Sequence, residues 1–218
     1  MWRIRPGDMM ASFDQLVRRR RSIRKYRPEM PPEAWIEEMI ACASMAPSPS
    51  NSQPVRFVQI VSAPMRDALQ QAMADGLQRL LTVWEERGLS KRLKTRINVY
   101  GRFADFMFEA PALFAVGVAP HVGFAGSLVE AGLIEKDDRS GVDMDISTGL
   151  SLKGFILKAQ SLGLGTCILT APLVFVPDAG KILGLEEIQL RCFVSVGFAD
   201  EIPPAVDRKK ISEIYWKI

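Results

Sequence analysis

Apolar residues recur along the chain at two spacings, and the spacing in force at each point predicts the element. Over 12–21, Phe13, Leu16 and Val17 share one helical face, Ser12 stands where it can cap the start, and arginines crowd the last turn. A second helix is predicted from Pro32-Glu33, since proline suits a first turn. Trp35, Ile36, Met39, Ile40 and Ala43 give it one apolar face. It stops at 45–54, MAPSPSNSQP, whose prolines, serines and asparagine describe an ordered turn rich in hydrogen-bonding groups. VRFVQIVS at 55–62 alternates apolar and polar and is rich in β-branched residues, so it reads as a strand. Met65, Leu69, Met73, Leu77, Leu80, Leu81 and Trp84 repeat at helical spacing through 64–87. A basic segment follows, then a helix around 98–109. ALFAVGVA at 112–119, a continuous apolar run bounded by prolines, reads as a central strand.

Residues 120–144 mix glycines, charges and scattered apolar positions, the pattern of a long site-lining segment that is partly helical. The next helix is predicted at 145–162, with an aspartate near its start and Gly163 able to close its end. Ile146, Leu150, Leu152, Phe155, Ile156 and Leu157 leave it almost no polar face. Such a helix is buried in a large core or against a second subunit. Strands follow at 165–171 and 188–198, with a short helix at 175–184 between them. The strands are not regularly interleaved with single helices, so a doubly wound sheet is not expected. The fold class is α+β with about four strands. No repeat, linker or low-complexity stretch divides the chain, so residues 1–218 form one domain, with 1–11 expected to be flexible.

Composition adds bounds. The chain has 218 residues, 48% apolar and 24% charged, enough to bury a sizeable core without staples. Its net charge is only +3, although VRRRRSIRKYRP at 17–28 is dense in cations. A nucleic-acid module would carry a basic surplus across the whole domain, and here the charge is local. Cations at a helix C-terminus complement its dipole, which explains one or two of these arginines. It does not explain Ser22 and Arg24, which lie beyond the helix. Cys42, Cys167 and Cys192 are far apart, without a CxxC or a Cys/His cluster, so no metal is expected and the thiols read as buried and free. The N-terminus lacks the apolar region of a secretory signal, and no apolar run approaches the ~20 residues of a membrane span. A cytoplasmic protein without membrane contact is expected. His121 is the only histidine and no G-x-S-x-G elbow exists, which disfavours a hydrolase. No G-x-G-x-x-G follows a strand, so a Rossmann nicotinamide domain is not indicated.

Four segments in order carry more than any one alone: RRSIRKY near the start, APSPSNSQPVRF some 25 residues on, LGLGTCIL after the apolar helix, and VSVGFADEIPP before a tail with DRKKISEI. This set resembles the nitroreductase family of FMN-dependent oxidoreductases, from about Phe13 to Trp216. The resemblance implies a mostly antiparallel central sheet flanked by helices, with an added strand from a partner's C-terminal extension at 200–218. It implies a homodimer with FMN at the subunit interface.

The family's R-R-S-x-R turn holds the FMN phosphate and ribityl chain, which here means Arg20, Arg21, Ser22 and Arg24. Guanidinium forks and a hydroxyl suit a phosphate dianion. Arg208 matches a further basic residue on the same phosphate, while Val206 stands where many members carry a second cation. Pro47, Ser48, Pro49, Ser50, Asn51 and Gln53 match the loop that reaches the flavin of the other subunit. Val55 stands where many members have tryptophan. The strand end at Ile168, Leu169, Thr170 and Ala171 matches the segment over the flavin ring. His121 and Phe124 are expected to line the substrate pocket.

The resemblance further implies a ping-pong cycle. NADPH or NADH gives a hydride to flavin N5, and a small nitroaromatic or quinone-like acceptor then takes the nicotinamide's place. No protein side chain need act as a catalytic acid or base, because the cofactor carries the chemistry. The alternative on the same fold is a flavin-binding or sensing protein without turnover.

Overall fold

A computed structural model describes residues 13–135 and 141–218. The expected Ser12 cap, the expected flexibility of 1–11, and residues 136–140 of the long irregular segment lie outside the described residues.

The described residues open with α1 (Phe13–Arg19), α2 (Glu33–Ser44) and a 3-10 turn at Pro49–Asn51, then β1 (Val55–Gln59), α3 (Ala63–Glu86), α4 (Lys91–Phe103) and α5 (Phe106–Glu109). After β2 (Ala112–Val118) come α6 (Phe124–Glu130), α7 (Val142–Ser161), β3 (Leu164–Leu169), α8 (Pro172–Phe175), α9 (Ala179–Ile182), β4 (Gln189–Phe198) and a last 3-10 turn at Ile211–Glu213. The four strands among the described residues form one antiparallel sheet in the order β1-β2-β4-β3. This is the α+β fold expected.

β2, β3 and β4 each split their side chains between two cores, because successive residues point to opposite faces. Ala112, Phe114 and Val116 of β2 join Val194 and Val196 of β4 beneath α2 and α7. Leu113 and Ala115, with Phe193, pack on the other face against Leu69 and Met73 of α3 and Phe175 of α8. The sheet is therefore a buried middle layer, which is why the ALFAVGVA run shows no alternation.

Several boundaries differ from the periodicity, each for a local reason. The basic segment before 98 is helical from Lys91, capped by the Ser90 hydroxyl, which accepts from the Leu93 N–H. Its cations hid an apolar edge that packs on α3, where Lys94 lies over the Trp84 ring at 4.4 Å. The helix expected at 175–184 is two short ones parted by Pro177. The strand expected at 55–62 ends at Gln59, because Ser62 caps α3.

α7 starts at Val142, earlier than predicted. Asp145 does not cap it but pairs with Arg191, Nε to Oδ1 at 2.6 Å. Gly163 closes α7 as expected, at φ 80. The helix is not uniformly apolar inward. Ser147, Thr148 and Ser151 are buried, and the Ser147 and Thr148 hydroxyls each donate to a carbonyl one turn back at 2.8 Å. Its apolar Ile146 and Leu150 instead face outward, 58% and 43% exposed.

One half-buried cation braces the sheet. The Arg66 guanidinium donates to the carbonyls of Ile60 (3.0 Å), Ala110 (2.7 Å), Pro111 (3.1 Å) and, at longer range, Phe108 (3.4 Å). It ties the start of α3 to one end of the β1–β2 pair, where β1 stops and β2 begins, and burial lowers its pKa. Arg66→Ala is expected to destabilise the fold by about 3 kcal/mol, because several carbonyls lose a charged donor at once. A urea titration checks this; a midpoint within error of wild type would show that water replaces the guanidinium freely.

Candidate functional site

The arginine run divides its labour by position. α1 ends at Arg19, so its last carbonyls need donors. Arg21 supplies them, its guanidinium donating to Arg18 O at 2.7 Å and Arg20 O at 2.8 Å. Beyond it the chain turns onto the outer edge of β3. Ser22 bridges Thr166 in parallel, and the Ile23 N–H donates to Thr166 O at 3.0 Å. This seat depends on Gly165, since a Cβ there would lie 2.6 Å from the Ile23 side chain.

The turn is held from behind by groups that the sequence did not single out. The Glu201 carboxylate accepts the backbone N–H of Arg24 at 2.5 Å and of Lys25 at 3.2 Å. The Tyr26 hydroxyl donates to Ile23 O at 2.5 Å and meets Ser195 Oγ at 2.8 Å; burial raises its pKa. Phe103, at the end of α4, lies under the Arg24 guanidinium, 4.7 Å from ring centroid to carbon. Glu201 is 177 residues from Arg24, so no spacing rule could have linked them.

What this scaffold presents is uncompensated positive charge. Arg20 has its pKa lowered by burial first, then by Arg208 and Arg21. That proximity brings Arg208, from the far end of the chain, to the turn. Among the described residues Arg20, Arg24 and Arg208 form no ion pair, and Arg24 Nε is buried without any hydrogen-bond partner. Cys167 forms part of the floor near Ser22, Arg24 and Arg20. Burial raises its pKa, as it does for Cys192, which is pushed up to about 12. Both are inert, buried thiols; Cys42 is only half-buried. Cations packed together with an orphaned buried donor form a receptacle for a compact anion.

The other predicted residues sit elsewhere. Leu169 is a core residue, so only its backbone could serve a ligand, whereas Thr170 is exposed where β3 ends. The loop of Pro47, Ser48, Pro49, Ser50, Asn51 and Gln53 leads into β1, at the opposite edge of the sheet from β3. Three strand spacings, about 14 Å, separate the edges. No hydrogen bond joins the loop to the arginine turn among the described residues. The loop is strained: Ser50, Asn51 and Gln53 have φ of 50, 55 and 45. Left-handed non-glycine residues cost on the order of 1 kcal/mol each and gather at functional sites. The Gln53 N–H donating to Ser48 Oγ at 2.9 Å holds them, and Ser52 Oγ is buried without a partner. His121 is exposed, and Phe124, the first residue of α6, is 82% exposed. Among the described residues neither makes a hydrogen bond or ring contact with the arginine turn.

A family model for the Nitroreductase family matches residues 17–198, from the arginine run to the end of β4. The chain belongs to the nitroreductase family. Among its curated relatives, nitroreductase NfnB of Mycolicibacterium smegmatis is 27% identical over 214 residues, 89% of this chain and 86% of that protein. A 4-nitrobenzoate reductase of Pseudomonas putida is 29% identical over 202 residues, 87% of this chain and 86% of that protein. The crystal structure of a BluB-like flavoprotein from Clostridium difficile superposes with a TM-score of 0.80 at 23% identity, covering 95% of this chain and 99% of that one. That of the FMN-dependent nitroreductase NfnB from Mycobacterium smegmatis, in complex with NADPH, does so at 0.64 and 18% identity, covering 94% and 97%. At these identities the structural likeness is one of fold.

Among the described residues no group of His, Cys, Asp or Glu is arranged to hold a metal ion. No described helix is long and apolar enough to cross a membrane.

Proposed function

We propose that this nitroreductase-family protein is an FMN-dependent oxidoreductase that takes electrons from NADH or NADPH and delivers them to nitroaromatic or quinone-like acceptors. The observation that carries the reading is that, among the described residues, the guanidinium groups of Arg20, Arg24 and Arg208 form no ion pair and Arg24 Nε is buried and unsatisfied. The FMN phosphate is the anion that fits. Arg24, Arg208, Arg20 and the Ser22 hydroxyl would hold it, while Glu201 and Tyr26 keep the turn in place. When bound, FMN supplies the two-electron chemistry, so the chain contributes binding, orientation and electrostatics. Backbone groups at Leu169 and Thr170 would meet the ring.

The site as a whole is a dimer's. The strained Ser48–Gln53 loop lies at the sheet edge far from the turn, which suits delivery to the flavin of a second subunit. Along the free edge of β1 runs a cavity of about 630 Å3 between α2 and α7, lined by Ile36, Ile40, Phe57 and Ser151 among others. The C-terminal tail carries Ile202 and Trp216 at 84% and 79% exposed, with Val206, Ile211 and Ile214 also outward. A partner's tail added to β1 would cover both the strand edge and those side chains.

Purified protein should be yellow, and mixing with NADPH or NADH should bleach the flavin. With both substrates varied, double-reciprocal plots should give parallel lines, since donor and acceptor use the same place in turn. His121→Ala should keep kcat within a few-fold. A loss of ~10²-fold or more would mean that His121 acts as a general acid or base. Bound FMN that neither nicotinamide bleaches would favour the flavin-binding reading without turnover.

A further inference from the structure

We propose that the acceptor site is built for an aromatic carboxylate, with Arg96 of α4 as its anion anchor. The inference rests on the flavoenzyme reading above and names the substrate class for it. A pocket of about 320 Å3 lies between α4 and the start of α8, lined by Leu80, Leu93, Ile97, Tyr100, Ala171 and Val174. Among the described residues Arg96 is the one charged side chain on its lining, and no carboxylate lines it. Arg79 adds a second cation close by, donating to Phe175 O at 3.2 Å.

Two elements place this pocket relative to the arginine turn. On β3, Thr166 is bridged to Ser22, and three residues on, about 10 Å at strand rise, the strand ends beside Ala171. On α4, Phe103 lies under the Arg24 guanidinium, and Arg96, seven residues back, is about 10 Å away at helical rise. Arg96, Tyr100 and Phe103 follow at i, i+4 and i+7 and so share a face. β3 and α4 both leave the phosphate turn and converge, one ribityl length on, at the same pocket. That is where an acceptor would wait beside the ring.

The charge of α4 sets what kind of acceptor. Lys91, Arg92, Lys94, Arg96 and Arg102 stand in thirteen residues without one acid. Lys94 is spent on the Trp84 ring, and Arg102 lies near Asp105. Arg96 makes no ion pair or hydrogen bond among the described residues, and it stands over an apolar floor. An apolar slot with one guanidinium at its rim matches a flat ring bearing a carboxylate.

The test is binding of 4-nitrobenzoate and of its neutral methyl ester to oxidised holoenzyme, followed by flavin absorbance or calorimetry. Arg96 is exposed, so its variants should fold. Arg96→Ala should weaken the acid roughly tenfold and leave the ester unchanged, and Arg96→Lys should restore most of the loss. Equal affinity for the acid in wild type and Arg96→Ala overturns the assignment, as does a loss shared equally by acid and ester. Loss confined to NADPH against NADH would give Arg96 to the nucleotide's phosphate and also overturn it. Because binding is read without turnover, tight Arg96-dependent binding of an acid that is never reduced would leave this pocket standing and sink the acceptor chemistry proposed above.

Discussion

Replacing Arg24 and Arg208 together with alanine is expected to weaken FMN binding by ~10²-fold or more while the protein stays folded. A charge-assisted hydrogen bond contributes about 1.5–3 kcal/mol, and about 1.4 kcal/mol is a factor of ten, so each arginine accounts for tenfold or more. The two would share one phosphate, so their effects need not add to the full product. Stability of the apoprotein moves the other way or not at all. Without ligand, Arg20 and Arg208 repel each other, and Arg24 Nε is buried without a partner. Removing them relieves that cost, which offsets the lost contact of Arg24 with the Phe103 ring. Fluorescence titration of apoprotein with FMN measures the affinity, and thermal melts measure the fold. Unchanged affinity in both single variants would place the phosphate elsewhere.

Ile146→Lys with Leu150→Lys should convert a dimer into monomers and empty the flavin site with it. Both side chains stand on the outer face of α7, 58% and 43% exposed, so a single protomer tolerates the change. An interface related by a two-fold axis buries each of them twice. Each is already about half covered in the protomer, so at roughly half of the 1.5–3 kcal/mol for a fully buried aliphatic side chain, four such losses amount to about 3–6 kcal/mol, or a ~10²–10⁴-fold weaker dimer. The introduced charges add to that. Sedimentation should show a species near 24.3 kDa without bound FMN. A stable wild-type monomer that still holds FMN would rule out the shared site, and a variant that remains dimeric would move the interface off this face of α7.

These expectations differ in how far the chain alone carried them. The four strands and the long helices could be read from period, because each buries a face whose residues are near neighbours in sequence. The arginine turn was legible as surplus charge: a helix end can use one or two cations, and RRSIRKY has more. The strained loop was visible as prolines, serines and asparagine where neither helix nor strand could form. In each case the determining interactions are local, and local spacing records them.

The tertiary structure decided which cation does what. Arg21 closes α1 while the Arg24 and Arg208 guanidinium groups form no ion pair among the described residues, and Gly165 allows the turn its close approach to β3. It also decided that Glu201 and Tyr26 brace the turn, that Leu169 serves the core, and that α7 turns Ile146 and Leu150 outward while it buries Ser147, Thr148 and Ser151. It alone brought Arg96 within a pocket beside Ala171. These contacts join residues tens to nearly two hundred positions apart. Hydrophobic burial, which writes the periodic pattern, is non-directional. It says that a face is covered but not which distant group covers it, so pairing across the sheet and charge left unpaired appear only once the chain is folded.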